Sequence, residues 1–398
     1  MTTKNGTWPE VFLAFLRLGL TSFGGPVAHL GYFRQDIVER RRWLDERAFV
    51  DLVALCQFLP GPASSQVGIG IGLYRAGLPG AFAAWTGFTL PSAIALALFA
   101  LGVENFGAAL GSGWLHGLKV AAVAVVALAI WSMARTMAND RPRATLAIVA
   151  AALVMAAPGT RGQLGAIVLG AIAGLIFLRE QATAVPSPAP PLRHGHGFAV
   201  ACLIAFFLLL FGLPLAADIS HRQDLAVASA FYRAGSLVFG GGHVVLPLLR
   251  ASVVPPGWVS DDLFLAGYGA AQAVPGPLFT FAAYLGAVLD RPPSGWAGAA
   301  LCLAAIFLPS FLLVIGALPF WESLRARPAA QAALRGVNAA VVGLLLSALY
   351  DPVWKGGVLE ARDFALAATA LLLLAIWKTP PWLVVIVCAV AGAGLAQL

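Results

Sequence analysis

A six-residue motif that occurs twice inside apolar stretches constrains this chain more than any other feature. Residues 57–62 read QFLPGP and residues 272–277 read QAVPGP, at an offset of 215 residues. Two prolines around a glycine break a helix, because proline lacks a backbone N–H and clashes with the preceding turn. In hydrocarbon such a break is tolerated only where it is buried in protein or lines a cavity. The repeated motif therefore predicts two broken helices at a transporter's binding site, the alternative being two packing kinks.

The composition sets the class of protein. Of 398 residues, 60% are hydrophobic and only 11% are charged, whereas soluble domains carry about a quarter charged residues. Apolar runs of about twenty residues predict spanning helices, and the alternating pattern of barrel strands is absent. We therefore expect an all-α, multi-pass membrane protein. The net charge of +7 lies in loops without a compact basic domain, so we expect no nucleic-acid partner.

Further landmarks recur in the same order along the chain. Residues 15–25 and 231–241 share the pattern Phe-x-Arg-x-Gly followed by Phe-Gly-Gly, and Leu-Pro-Ser occurs at 90–92 and 308–310. The sequence therefore predicts two homologous repeats, one at 1–180 and one at 198–398, with the second repeat proper beginning near residue 225. Residues 181–197 are proline-rich and form the predicted linker. The two histidines of that linker are interpreted as linker residues, not as metal ligands.

The orientation of the repeats follows from a model of their opening elements. If the Phe-Gly-Gly and Pro-Gly-Pro elements each enter the membrane and return to the same side, each repeat has four segments that span the membrane. The apolar stretch 198–216 then adds one membrane span, which inverts the second repeat and places most Lys and Arg residues in the cytoplasm. A parallel arrangement, with only the Pro-Gly-Pro elements re-entrant, explains the charges almost as well. We expect inversion, but charge alone leaves both open.

Three basic side chains within apolar segments are candidate anion ligands. Arg17 and Arg233 occupy equivalent repeat positions before the Phe-Gly-Gly breaks. An arginine at depth is costly unless it is paired or hydrated, so it indicates a functional site, although a snorkelling side chain is the alternative for Arg17. Lys119 either binds the anion or snorkels, and Asn338 stands at its position in the second repeat.

The breaks themselves would point helix N-termini into the membrane, where unpaired N–H groups and the helix dipole favour an anion. His29 and His243 follow the Gly-Gly pairs and are either proton-coupling groups or packing residues. We expect no catalytic group, cofactor or metal, and hence no enzyme. The remaining substrate-binding candidates are Gly24, Gly25, Gln57, Pro60, Gly61, Pro62, Gly240, Gly241, Gln272, Pro275, Gly276 and Pro277, and further neutral donors are Ser64, Ser65, Gln66 and Thr280.

These motifs resemble the chromate ion transporter family in its long, two-domain form. The resemblance rests on residues 22–29, 42–43, 54–62, 239–243 and 272–277 and covers nearly the whole chain. It implies an inner-membrane carrier that exports chromate, is driven by the proton-motive force and gives chromate resistance, with halves of opposite orientation. The second half departs from the first, since Gly242 replaces Pro26 and Asn338 replaces Lys119.

Alternatives to this interpretation remain at the sequence level. A carrier for another oxyanion such as sulfate, or an anion channel, fits the same residues. Expected partners are an oxyanion and membrane lipid, and a homodimer is a further possibility.

Overall fold

The protein is an all-α membrane protein with two repeats. The computed structural model describes residues 6–110, 112–178 and 195–396, so most of the predicted linker lies outside the described residues. The first repeat contains helices α1 (Trp8–Thr21), α2 (Gly25–Phe33), α3 (Glu46–Phe58), α4 (Ala63–Leu110), α5 (Gly113–Met137), α6 (Arg141–Ala156) and α7 (Thr160–Phe177). Helix α8 (His196–Ser220) leads into the second repeat.

The second repeat follows the same order with more interruptions. Its helices are α9 (Gln223–Leu237), α10 (Val245–Val253), α11 (Asp261–Ala271), α12 (Phe281–Ala287), α13 (Gly295–Ala317), α14 (Trp321–Arg325), α15 (Pro328–Ala348), α16 (Lys355–Gly357), α17 (Ala361–Ala375) and α18 (Pro381–Leu395). Short 3₁₀ turns at Gly242–Val244 and Leu278–Thr280 precede α10 and α12. Six segments of the described chain are long and apolar enough to span a membrane, namely Ala63–Val103, Gly113–Met137, Thr160–Phe177, His196–Ser220, Gly295–Arg325 and Pro328–Gly357.

The first repeat opens with two hairpins that enter and leave on the same face. Arg75, at the end of the first part of α4, pairs with Glu10 at the start of α1 at 3.2 Å. The Arg75 guanidinium also lies 5.1 Å from the centre of the Trp43 ring, in the loop between α2 and α3. The outer ends of α1, α2 and the first part of α4 therefore meet, and α4 then kinks at Ala76 and Gly77 before crossing. We call this surface the first face.

The second repeat opens with two equivalent hairpins on a second face. Arg250, near the end of α10, pairs with Asp261 at the start of α11 at 2.7 Å, and the Asp290 N–H after α12 donates to the Trp258 carbonyl before α11. Residues Gly295–Arg325 form one apolar span of 31 residues, about 46 Å at helical rise.

That span shows that the two faces are opposite. It starts beside Asp290 and ends at Arg325, whose guanidinium pairs with Asp51 near the first face. The second repeat is therefore inverted relative to the first. Helix α8, which is the extra membrane span, carries the chain from one face to the other.

The repeats are interlocked through glycines. Helix α5 of the first repeat packs against α17 and α18, and α15 of the second repeat packs against α6 and α7. A Cβ atom at Gly117 would collide with the Cys388 carbonyl, and one at Gly336 would collide with the Gly170 carbonyl. Small residues let membrane helices approach this closely and gain van der Waals contact. The two repeats therefore share one packed body.

Inversion can be tested by labelling single cysteines with an impermeant thiol reagent in intact cells. The four native cysteines are buried, and a variant lacking them provides the background. Arg47, at the first face, and Pro256, at the second, are both exposed. Because basic residues mark the cytoplasmic side, Arg47→Cys should stay unlabelled and Pro256→Cys should react. Equal labelling of both would contradict inversion, and permeabilised cells provide the control for reactivity.

Candidate functional site

Helix ends from both repeats converge in the interior of the protein. Helices α1 and α3 of the first repeat, and α9 and α11 of the second, run inward and end at the breaks. Helix α2 starts at Gly25 and α4 at Ala63, while the outgoing segments of the second repeat start at Gly242 and Leu278. The N–H groups of a first helical turn have no acceptor within the helix. The breaks therefore bring four sets of backbone donors and four positive dipole ends to one region.

Glycine is required at the breaks by backbone geometry. The positions with positive φ are Gly24 (101°), Gly25 (77°), Gly61 (124°), Gly240 (74°), Gly241 (145°) and Gly276 (96°). Residues with a Cβ rarely adopt these values. The Phe-Gly-Gly and Pro-Gly-Pro motifs are thus the sequence signature of the turns that end one helix and start the next.

Two reciprocal hydrogen bonds join the breaks of the two repeats. The Gly61 N–H donates to the Val238 carbonyl at 2.7 Å, and the Gly276 N–H donates to the Ser22 carbonyl at 2.9 Å. Val238 and Ser22 are equivalent residues, each just before a Phe-Gly-Gly motif. The Pro-Gly-Pro break of each repeat is therefore bonded to the Phe-Gly-Gly break of the other. We call these two bonds the crossings.

One serine side chain lies beside the glycine of each crossing. A Cβ atom built on Gly61 would lie 3.0 Å from Ser310 Oγ, and one built on Gly276 would lie 2.9 Å from Ser92 Oγ. Ser92 and Ser310 are the serines of the two Leu-Pro-Ser landmarks. The long helices α4 and α13 thus each place a hydroxyl beside the glycine of the other repeat's break.

Several buried polar atoms in this region have no hydrogen-bond partner among the residues that the structure describes. They are Ser22 Oγ, His29 Nε2, Ser65 Oγ, Gln66 Oε1, Thr89 Oγ1 and Ser310 Oγ. The other ring nitrogen of His29 lies 3.3 Å from Ser64 Oγ, and Gln66 Nε2 donates to the Pro60 carbonyl at 2.7 Å. Buried polar groups are normally paired, so a concentration of unpaired ones indicates a place where a polar ligand binds.

Comparison with known proteins now decides the family. A sequence model of the chromate transporter family matches residues 9–177 and 225–393, which are the two repeats. The chain belongs to the chromate transporter family. It is 30% identical to a chromate transport protein of Pseudomonas aeruginosa over 98% of this chain and 92% of that protein. It is also 29% identical to a chromate transport protein of Cupriavidus metallidurans, over 94% of this chain and 88% of that protein.

A more distant relative is an uncharacterized transporter of Methanocaldococcus jannaschii, 25% identical over 85% of this chain and 82% of its own. No solved structure matches this chain.

The two equivalent arginines lie in different surroundings within this transporter. Arg17 is exposed, on the side of α1 that also exposes Leu13 and Leu20, so it is not brought to the crossings. Arg233 is half-buried in α9. The difference arises because α8 packs along α9, where the Tyr232 hydroxyl donates to the Phe206 carbonyl at 3.0 Å.

Lys119 lies away from the crossings, near the second face. Its ammonium pairs with Asp262 at 2.8 Å, in a pocket of about 250 Å³ that Ser112 and His116 also line. His116 Nε2 in turn lies 2.9 Å from an Asp363 carboxylate oxygen. Lys119 is therefore an ion-paired residue between α5 and α11 in this conformation.

The remaining candidates are at the breaks but differ in exposure. Gln57 is exposed and Gln272 is half-buried, with its amide 3.4 Å from the Tyr268 carbonyl. His243 is hydrogen-bonded to the Tyr268 hydroxyl at 2.8 Å, whereas His29 is 1% exposed and keeps one nitrogen unpaired.

Sequence reasoning missed several hydroxyl groups of this region, above all Ser22 and Thr89. The signal was present, since each is adjacent to a motif that recurs between the repeats. A serine or threonine in an apolar run gives no indication of its depth or of its missing partner until the neighbouring helices are placed.

Replacing the crossing glycines should stop transport without preventing folding. In Gly61→Ala the new Cβ would lie 2.6 Å from Gln66 Nε2, and in Gly276→Ala it would lie 3.1 Å from the Phe88 carbonyl. In each variant the positive φ, which alanine disfavours, also costs about 1–3 kcal/mol of backbone strain. We expect a tenfold or greater loss of chromate uptake into vesicles at matched protein levels.

The matched control is Gly159→Ala. Gly159 also has a positive φ of 93° but has open space around its Cβ position. This variant should therefore suffer the same backbone strain and still retain transport. If all three variants transport equally, the crossings are packing features only.

Proposed function

We propose that this protein carries chromate across the cytoplasmic membrane, exporting it at the expense of the proton-motive force and so giving chromate resistance. The observation that carries the proposal is the convergence of four helix N-termini at the crossings, among buried polar atoms with no partner. Family membership supplies chromate as the substrate to test first. Sulfate, a tetrahedral dianion of similar size, is the second candidate.

The electrostatics of the interior favour an anion. Helix N-termini stabilise negative charge by up to about 2 kcal/mol each when partly buried, and the half-buried Arg233 lies on the helix that ends at one of these breaks. The acidic side chains Asp51 and Asp262 lie near the two faces and are ion-paired with Arg325 and Lys119, and an Asp363 carboxylate oxygen lies 2.9 Å from His116 Nε2. A cation would therefore find no matching carboxylate among these, whereas an oxyanion finds donors.

Ion pairs at both faces support a carrier over a channel. Lys119 of the first repeat holds Asp262 on α11 near the second face. Near the first face, Arg325 of the second repeat holds Asp51 on α3, and the Trp321 indole N–H donates to the same carboxylate at 3.1 Å. Helices α3 and α11 are equivalent, since each leads into a Pro-Gly-Pro break. Opening one pair at a time would expose the crossings to one side of the membrane.

Proton coupling is assigned to His29 within this proposal. His29 lies in the polar region of the first repeat, and its free ring nitrogen gives a proton a site close to the substrate. His243 is the weaker candidate, because its bond to Tyr268 already accounts for one of its ring nitrogens.

Initial rates in inverted membrane vesicles test the function. With labelled chromate and an imposed proton gradient, uptake should saturate with concentration and collapse when the gradient is dissipated. A rate that rises linearly with chromate concentration would indicate a channel. Saturable uptake of sulfate with no competition from chromate would assign the protein to the other oxyanion.

The arginines can be tested in the same assay. Arg233→Ala should raise the half-saturation concentration for chromate tenfold or more, because a hydrogen bond to a charged group contributes about 1.5–3 kcal/mol. Arg233→Lys should recover only part of the affinity, since lysine lacks the planar fork that matches an oxyanion. Arg17→Ala, on the exposed side of α1, should have a smaller effect.

The control for these variants is Arg222→Ala, which removes an exposed side chain paired with Asp224 at 2.6 Å and should leave the kinetics unchanged. Wild-type kinetics in Arg233→Ala would remove the arginine from the site and leave the anion to backbone and hydroxyl donors.

A further inference from the structure

We propose that each chain binds a single oxyanion beside neutral side chains of the first repeat, and that the equivalents of those side chains in the second repeat are structural. This inference rests on the proposed function and specifies its binding site. It assigns Ser22, Ser65 and Thr89 as substrate-binding residues.

The repeats match in backbone but not in polarity around the crossings. At five positions a buried polar residue of the first repeat is replaced by a buried apolar one at the equivalent position of the second. The pairs are Ser22 and Val238, His29 and Val245, Ser64 and Phe279, Gln66 and Phe281, and Thr89 and Phe307. Each of these ten residues is at most 2% exposed.

Contacts join several of the first-repeat residues near the two breaks of that repeat. His29 contacts Ser64 through its Nδ1 atom and packs edge-on against Phe88, with 5.3 Å between ring centres. Phe88 precedes Thr89, and its carbonyl lies close to Gly276. The Ser22 carbonyl accepts the Gly276 N–H. His29 thus joins α2 to the start of α4 and to Phe88, next to the bond between Ser22 and Gly276.

The unpaired state of these groups points to a ligand. In the described part of the chain, Ser22 Oγ, Ser65 Oγ, Thr89 Oγ1 and His29 Nε2 have no partner, although their residues are at least 98% buried. A buried hydroxyl without a partner destabilises the fold relative to an apolar group of the same shape. Such groups are explained if they donate to a bound oxyanion, whose charge the N-termini of α2 and α4 help to balance.

Among the described residues, the equivalent positions of the second repeat have no comparable set of unpaired donors. Phe279 and Phe307 fill the equivalent space with their ring centres 5.9 Å apart. The Thr280 hydroxyl donates to the Pro277 carbonyl at 2.7 Å, and His243 bonds to Tyr268. Ser310 Oγ is unpaired there, but a single hydroxyl among phenyl rings does not replace the solvation of a dianion.

The experiment compares stability and binding in the purified full-length protein. Thr89→Val and Ser22→Ala remove unpaired hydroxyls at nearly constant shape. We expect an unchanged or higher unfolding temperature, together with an increase of tenfold or more in the Kd for chromate measured by equilibrium dialysis. Thr280→Val, at the equivalent of Ser65, removes a satisfied hydrogen bond and should lower the unfolding temperature without changing the Kd. Wild type should bind one chromate per chain.

Each contrary result has a distinct meaning. Two chromate ions per chain, unchanged affinity in both first-repeat variants, or an equal loss of affinity in Thr280→Val would overturn the single-site assignment while leaving the proposed function intact. Wild-type protein that binds neither chromate nor sulfate would overturn the proposed function and this inference together. If Ser22→Ala does not fold, Ser65→Ala tests the same point.

Discussion

A helix that stops inside a membrane leaves backbone N–H and C=O groups that water cannot reach, each at a cost of several kcal/mol. In this protein each repeat satisfies part of that requirement for the other, through the bonds from Gly61 to Val238 and from Gly276 to Ser22. Neither set of breaks can be considered alone, because the acceptor for one repeat's glycine is a carbonyl of the other. The inverted orientation of the repeats is what brings these groups together.

The interlocked helices hold this arrangement in place. Helix α5 is enclosed by the last helices of the second repeat and α15 by those of the first, through close contacts at Gly117 and Gly336. The hairpins that carry the breaks also pack closely, as where a Cβ atom at Gly235 would collide with the Ile306 carbonyl. Near their outer ends, ion pairs of Lys119 with Asp262 and of Arg325 with Asp51 add to this packing.

The sequence was sufficient for the features that depend on local backbone chemistry. Proline and glycine located the breaks, and matching landmarks revealed the duplication. The chemical environment of individual side chains was not predictable in this way. Arg17 and Arg233 occupy equivalent positions, yet α8 packs along the helix of only the second, because this extra membrane span has no counterpart beside α1. Lys119 found its partner 143 residues away, and the unpaired hydroxyls of Ser22 and Thr89 became visible only once the neighbouring helices were placed.

The central claim is that the interior crossings, and not a pocket at either face, hold the oxyanion. The most direct measurement is an anomalous difference map at the chromium absorption edge, from crystals of the full-length protein grown with chromate. The account predicts a single peak beside Ser22, His29 and Ser65. A peak in the pocket between Lys119 and His116, with none at the crossings, would contradict it.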